Sequence, residues 1–320
     1  MGMIILVADK FETSGLEGLK GLGCDVRYEP DLKEDALRVA VAESGAEVLV
    51  VRSTKVPAEV IAGSKLKVII RAGAGYNTID VAAATENGGA VANCPGKNSV
   101  AVAELAFGLM LALDRQIPDN VVSLRNGQWN KKAFGKARGI FDSTLGLVGM
   151  GQIGQEMIPR AKAFGMNVLA FSSHMTTEQA KDWGVSAATS LTDLASRSDI
   201  VSVHTSLRPE TKGMLGKEFF DAMKPGALFI NTSRAEVVDQ AALLAAVESG
   251  KIRAGLDVFD GEPAVAEGEY DGPLRSAKGV YATHHIGAST DQAQEAVAAE
   301  TVRIVSVYKS TGDVPNVVNR

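Results

Sequence analysis

Short apolar runs alternate along this chain with stretches in which apolar residues return at helical spacing. Runs that are apolar throughout fit strands covered on both faces. The helical spacing fits helices with one covered side. In the first third the pattern predicts strands at Ile4–Ala8, Asp25–Tyr28, Val48–Arg52, Val68–Arg71 and Ala90–Asn93. Helices are predicted between them, around Gly15–Gly21, Lys33–Ser44, Ala58–Ala62 and Val81–Asn87. A second series of strands is predicted at Leu145–Val148, Asn167–Phe171, Ile200–His204, Ala227–Asn231, Gly255–Phe259 and Gly279–Ala282. Its helices include Gln152–Phe164, Thr177–Trp183, Lys217–Met223 and Asp239–Gly250. Strands separated by helices form βαβ units and a parallel sheet.

Two longer helical stretches bracket the second series. Val100–Asp114 is apolar nearly all round and should be buried. Thr290–Tyr308 follows Ser289 and Thr290, either of which suits an N-cap. Gly312–Asn319 reads as one more short extended piece. There is no repeat at a fixed period and no low-complexity linker.

The strongest local signal lies in Ser143–Gly154, where an apolar run feeds Gly149-Met150-Gly151-Gln152-Ile153-Gly154 and a helical pattern begins at Gln152. Strand, G-x-G-x-x-G and helix is the arrangement that binds a dinucleotide pyrophosphate. Gly149 permits the tight turn, Gly151 lets phosphate approach the backbone, and Gly154 lets the helix pack on the strand. A bare G-x-G-x-x-G is common in surface turns; here its flanks set it apart. The organisation predicted is α/β, with two Rossmann-like domains built on parallel sheets. The dinucleotide-binding domain, 98–287, is inserted into a substrate-binding domain made of 1–97 and 288–320.

Composition narrows the functional classes. A chain of 320 residues is long enough for two domains, and 46% hydrophobic residues is ordinary for a globular protein. A net charge of −5 without a basic block argues against nucleic acid and anionic membrane partners. Cys24 and Cys94 are too few for a disulfide framework or a Cys-rich metal site, so no metal is expected. They fit buried apolar residues in a reducing cytoplasm. The N-terminus reaches Asp9 too soon for a signal peptide, Leu6 stands where myristoylation wants Ser or Thr, and no run would span a bilayer.

In open α/β sheets ligands bind beyond the carboxyl ends of strands. Asn231–Arg234 follows one predicted strand, Asp260–Pro263 the next, and His284–Gly287 the last. An Arg, a Glu and a His therefore reach one edge, the edge that carries the glycine loop. Moving a hydride between nicotinamide and a hydroxy acid requires a proton to leave or join the hydroxyl. A His can exchange it, a carboxylate beside it holds the ring, and an Arg grips the substrate carboxylate with a bidentate fork. Singly, Glu262 reads as a solvated turn residue, Arg234 as a surface cation and either His as a core side chain. It is their convergence that reads as catalytic. Neighbouring residues of a strand face opposite ways, so only one of His284 and His285 should enter the site.

These pieces resemble the D-isomer-specific 2-hydroxyacid dehydrogenase family. The resemblance rests on Arg71–Gly75, Asn98–Leu105, Gly149–Gly154, Asn231–Arg234, Asp257–Phe259 with Glu262-Pro263, and His285–Gly287, and it covers nearly the whole chain. It implies catalytic roles for Arg234, Glu262 and His285, contact of Asp257 with the nicotinamide carboxamide, and a substrate carboxylate facing the backbone of Ala72, Gly73 and Ala74. His204, Thr205, Thr232 and Gly287, from neighbouring loops, join the cofactor-binding set. Within the family, Val51–Ser53, Gly127–Lys131, His285–Thr290 and Pro315–Asn319 look like the members that oxidise D-3-phosphoglycerate in serine biosynthesis. A phosphorylated substrate needs a second anionic site, for which Arg52 with Ser53, Lys97 and Lys131 are the candidates; solvated charge is the ordinary reading of each. The regulatory C-terminal domain of long forms has no counterpart here, so feedback by serine through it is not expected.

Two departures from the family pattern stand out. His284 replaces the usual Pro before the catalytic His. NAD-specific members carry an acid about 20 residues beyond the glycine loop. Here Ser172, Ser173 and His174 occupy that place, with neither a carboxylate to repel a 2′-phosphate nor an Arg to clamp one. NAD is the expected cofactor, with NADP left open. The alternatives are a glyoxylate or hydroxypyruvate reductase using NADPH, and a dinucleotide-sensing corepressor, for which partner-docking extensions would be expected. A homodimer or homotetramer is expected from the family.

Overall fold

In the computed structural model, which describes residues 2–263 and 267–319, all strand pairs in both sheets are parallel. The chain divides into two compact units, Met1–Asn98 with Ala288–Arg320, and Ser99–Gly287. Among the described residues no helix is long and apolar enough to cross a membrane.

The first unit contains β1 (Ile4–Val7), α1 (Thr13–Gly21), β2 (Asp25–Tyr28), α2 (Glu34–Ser44), β3 (Val48–Val51), α3 (Ala58–Ile61), β4 (Val68–Arg71), α4 (Val81–Glu86) and β5 (Ala90–Asn93). Its sheet runs β2-β1-β3-β4-β5. Every residue of β3 is buried, because apolar clusters cover both faces of the sheet. All-apolar strands suit a sheet sandwiched between helices.

The second unit opens with α5 (Ser99–Arg115), α6 (Ile117–Arg125) and α7 (Lys131–Phe134). There follow β6 (Thr144–Val148), α8 (Gln152–Ala163), β7 (Asn167–Phe171), α9 (Thr177–Trp183), β8 (Ser186–Ala187), α10 (Leu191–Arg197) and β9 (Ile200–Val203). The unit ends with α11 (Lys217–Ala222), β10 (Ala227–Asn231), α12 (Gln240–Glu248), β11 (Ile252–Leu256) and β12 (Val280–Ala282). The final helix, α13 (Asp291–Thr311), belongs to the first unit and is N-capped by Thr290, whose side chain accepts from Ala293 N. The second sheet runs β12-β11-β10-β9-β6-β7-β8. Its order reverses between β6 and β9, so the switch point, where such sheets bind ligands, lies at the ends of these two strands.

Three expectations need correction. The penultimate strand is Ile252–Leu256, three residues earlier than Gly255–Phe259. Arg253 hid it, but its guanidinium donates to the Leu113 carbonyl at 2.6 Å and so is satisfied while half-buried. Gly255 belongs to it because a Cβ there would crowd Ile230 and Leu109, each at 3.0 Å. Second, Gly312–Asn319 is no strand. It borders β5 through one antiparallel bridge, Ala92 to Val317, while the Asn319 side chain accepts from Val91 N at 2.8 Å. These bonds cover an otherwise open sheet edge. Third, β12 ends at Ala282, so the two histidines lie beyond it and strand alternation does not set their directions. The sequence pattern predicts no element at α6, α7, α10 or the two-residue β8; α6 buries none of its residues.

Candidate active site

The glycine loop leaves β6 at the switch point. Gly149 adopts a φ of +96°, and a Cβ on it would meet the His204 carbonyl oxygen at 2.7 Å and Thr205 N at 2.8 Å. A Cβ on Gly154 would strike the Gly149 carbonyl oxygen at 2.3 Å, which is why the helix can approach the strand so closely. Gly151 is different: nothing lies within 4 Å of where its Cβ would be. It precedes α8, whose N-terminus has no side-chain cap. This leaves positive helix-end dipole and open space together, the requirements of a bound pyrophosphate.

Two orphaned groups flank this cradle. His204 Nδ1, after β9, and Thr232 Oγ1, after β10, are buried without a hydrogen-bond partner among the described residues. His204 Nε2 already meets Ser202 Oγ at 2.9 Å, and burial pushes the ring's pKa down to about 3, so the ring is neutral at physiological pH. Buried polar atoms rarely stay unpaired. These two could pair with a polar cofactor, so the residues present fit a dinucleotide. At the end of β7, Ser172 is half-buried, while Ser173 and His174 are exposed.

The strands β10, β11 and β12 are neighbours, so their carboxyl ends share the edge that carries the glycine loop. The turn after β10 is fixed by Asn231, only 1% exposed. Its Oδ1 accepts from Ser233 N at 3.0 Å and Ser233 Oγ at 2.8 Å, and its Nδ2 donates to the Arg234 carbonyl at 3.0 Å. Arg234 Nη1 donates to the Ser233 carbonyl at 2.7 Å.

After β11, Asp257 is buried and its carboxylate turns toward the segment after β12. Oδ1 accepts from Thr283 Oγ1 at 2.6 Å and Ile286 N at 2.9 Å, and Oδ2 from Gly287 N at 2.8 Å. Those bonds hold the turn in which His285 takes a φ of +52°, a left-handed conformation uncommon for a residue with a Cβ. His285 Nδ1 then lies 2.8 Å from Glu262 Oε2. A carboxylate can only accept, so Nδ1 carries the proton and Nε2 is the nitrogen left for chemistry. The other carboxylate oxygen, Oε1, accepts from Phe259 N at 2.8 Å, and Gln240 Oε1 accepts from Asp260 N at 2.8 Å. Thus Glu262 and His285 are brought together, and Arg234 comes from the adjoining strand end. Asn231 and Gln240 were not singled out as site residues; a polar side chain at a strand end was the available signal for Asn231, and none marked Gln240.

The other substrate candidates lie in the first unit, except Lys131, an exposed residue at the start of α7. Arg52 and Ser53 follow β3, and Ala72, Gly73 and Ala74 follow β4. Gly73 has a φ of +149°, a conformation that favours glycine, and a Cβ there would lie 1.6 Å from Arg71 Nη1 and oblige the guanidinium to move. Lys97 is already engaged: its Nζ lies 3.4 Å from Glu300 Oε2.

Residues 107–287 match the NAD binding domain of the D-isomer specific 2-hydroxyacid dehydrogenases. A D-3-phosphoglycerate dehydrogenase of Methanocaldococcus jannaschii is 40% identical over 321 residues, covering 98% of this chain but only 60% of the relative. This chain therefore spans less than two thirds of that protein. A hydroxypyruvate reductase of Thermotoga maritima is 43% identical over 284 residues, 88% of this chain and 89% of that one. Among solved structures, the NAD+-bound 3-phosphoglycerate dehydrogenase of Entamoeba histolytica superposes with a TM-score of 0.82 at 26% identity, covering 100% of this chain and 99% of the other. The switch-point glycines and these likenesses along nearly the full length lead to one conclusion: the chain belongs to the D-isomer specific 2-hydroxyacid dehydrogenase family.

Proposed function

We propose that this protein oxidises the 2-hydroxyl of D-3-phosphoglycerate to give 3-phosphohydroxypyruvate, with NAD as its cofactor. The observation that carries the reading is the pairing of His285 Nδ1 with Glu262, which leaves Nε2 free at the sheet edge bearing the glycine loop. The bound nicotinamide ring supplies the hydride acceptor. His285 Nε2 takes the hydroxyl proton as the C2 hydride leaves. Glu262 fixes the ring's tautomer and stabilises the imidazolium that forms. Arg234 grips the substrate carboxylate and polarises the oxygen at C2 as it gains carbonyl character. Gly149, Gly151, Gln152, Ile153 and Gly154 cradle the pyrophosphate, His204, Thr205, Thr232, Asp257 and Gly287 surround the nicotinamide half, and Ser172–His174 meet the adenosine ribose. Arg52, Ser53, the backbone of Ala72–Ala74 and Lys131 bind the acid's charged ends, while Lys97 stays with Glu300. In this assignment Ser99–Gly287 is the dinucleotide-binding unit and the other binds substrate. The free thiols of Cys24 and Cys94 suit a reducing cytoplasm, and the enzyme works as a homodimer or homotetramer.

A second reading follows from the Thermotoga maritima relative, of which this chain covers 89%. It is reduction of an unphosphorylated keto acid such as hydroxypyruvate. The deciding experiment compares kcat/KM for 3-phosphoglycerate, glyoxylate, hydroxypyruvate and D-lactate with both cofactors. A clear preference for the phosphorylated acid supports the first reading; equal or better turnover of hydroxypyruvate replaces it with the second.

A further inference from the structure

A carboxylate with no role so far lies under the loop proposed to meet the substrate's charge. Asp9 stands just beyond β1, beside β3, since Ala8 N donates to the Val50 carbonyl at 3.0 Å. Its Oδ2 accepts three consecutive backbone N–H groups: Arg52 at 2.6 Å, Ser53 at 3.0 Å and Thr54 at 3.0 Å. Its Oδ1 accepts from Thr54 Oγ1 at 3.0 Å, with Ser53 Oγ at 3.5 Å. Successive N–H groups aimed at one point form a concave anion site. Here the protein's own side chain fills it.

Two consequences follow. The backbone of 52–54 has no N–H left for a substrate anion, so recognition passes to side chains. Those side chains start from a backbone held by several charge-assisted bonds, which are among the stronger hydrogen bonds in proteins. Arg52 is half-buried, and its guanidinium makes no ion pair with a described carboxylate.

We propose that Asp9 is a positioning residue for substrate specificity: it occupies the 52–54 anion site, locks that loop, and so aims Arg52 and Ser53 at the anionic end of the acid. The proposal rests on the substrate-side assignment of Arg52 and Ser53.

The test is Asp9→Asn in the full chain. The amide keeps one oxygen for the three N–H groups and can turn its NH2 to the Thr54 and Ser53 hydroxyls, so what the substitution removes is the negative charge that strengthens these bonds. The expected result is a rise in KM for 3-phosphoglycerate of about 10- to 100-fold, the scale of a misplaced binding group. The fall in kcat is smaller, and amide hydrogen exchange at 52–54 speeds up. NADH affinity, read by fluorescence, stays within about twofold, because a substrate-side effect leaves cofactor binding alone. An unchanged KM overturns the proposal. So does a parallel loss of NADH affinity and melting temperature, the mark of a merely structural role. Should Asp9→Asn fail to fold, Thr54→Val removes one hydroxyl partner and is expected to raise the same KM severalfold; no change there overturns the idea equally. The wild-type acid panel separates the two readings. If it prefers hydroxypyruvate, the substrate assignment falls, and the KM of the variants is read on that acid instead.

Discussion

His285 has two ring nitrogens and only one of them is committed. Because Nδ1 faces Glu262 at 2.8 Å, Nε2 is the nitrogen left for a substrate, and in the proposed reaction removing the ring removes the proton acceptor outright. His285→Ala is expected to lower kcat by about 10²- to 10⁴-fold, the usual worth of acid–base catalysis, with NADH affinity retained in a fluorescence titration. Arg234→Lys keeps the charge but loses the fork, and is expected to recover only part of what Arg234→Ala loses in kcat/KM. Ser172 directly follows β7, at the position proposed to meet the adenosine ribose. Introducing a carboxylate by Ser172→Asp is expected to raise the NAD/NADP ratio of kcat/KM by about tenfold, since a charge beside a phosphate costs on the order of 1 kcal/mol or more. An unmoved ratio would place the ribose elsewhere.

At the scale of elements, the proposed chemistry depends on turns that follow strands rather than on the strands themselves. Asn231 holds the turn of Arg234, and Asp257 holds the turn of His285. Gly287 shows how little room remains, since a Cβ there would lie 3.0 Å from Asp257 Oδ2 and 3.3 Å from Val102 Cγ2. Gly287→Ala is therefore expected to push the Asp257 carboxylate aside and loosen the His285 turn. Crude and purified kinetics should show kcat down by about tenfold, with melting lowered by only a few degrees, because the displaced contacts are few. The strand–helix alternation behind these turns was readable, because burial on two faces and on one leave different periods in the sequence. The position of β11 was not, because Arg253 breaks the apolar run and only its bond to Leu113 makes it tolerable there. In α6, Ile117, Val121 and Leu124 do recur at helical spacing, but none of its residues is buried, so this short stretch has no covered face to set it apart.

Across the whole molecule, each unit carries its own acid-sensitive group. His204 in the second unit has a pKa near 3 instead of 6.5, and Glu300 in the first is held near 2 instead of 4.5, chiefly by hydrogen bonds from Arg303. In both cases the unfolded chain binds a proton that the folded chain refuses. Stability therefore falls as pH falls, from about 6.5 downward for His204 and only below about 4.5 for Glu300. Urea titrations between pH 7 and 5 should show a loss of up to about 1.4 kcal/mol per pH unit from His204. His204→Asn should flatten that slope. Glu300→Gln should leave it intact and weaken the first unit at pH 7, where Glu300 now pairs with Arg303, Lys97 and Asn316.

What the chain announces by itself is whatever is written in neighbouring residues. The glycine loop, the two series of strands and helices, and the residue types gathered after strands all follow from spacings of a few positions, where backbone sterics and burial act directly. What only the tertiary structure decided are pairings between distant residues. Lys97 reads as a free cation for substrate until Glu300 is seen beside it. Two histidines read alike until the turn tied to Asp257 presents one of them to Glu262. Asp9 reads as an ordinary loop acid until three amides converge on it. Such pairings depend on strand order and on how each chain end leaves its sheet, and no local period encodes either.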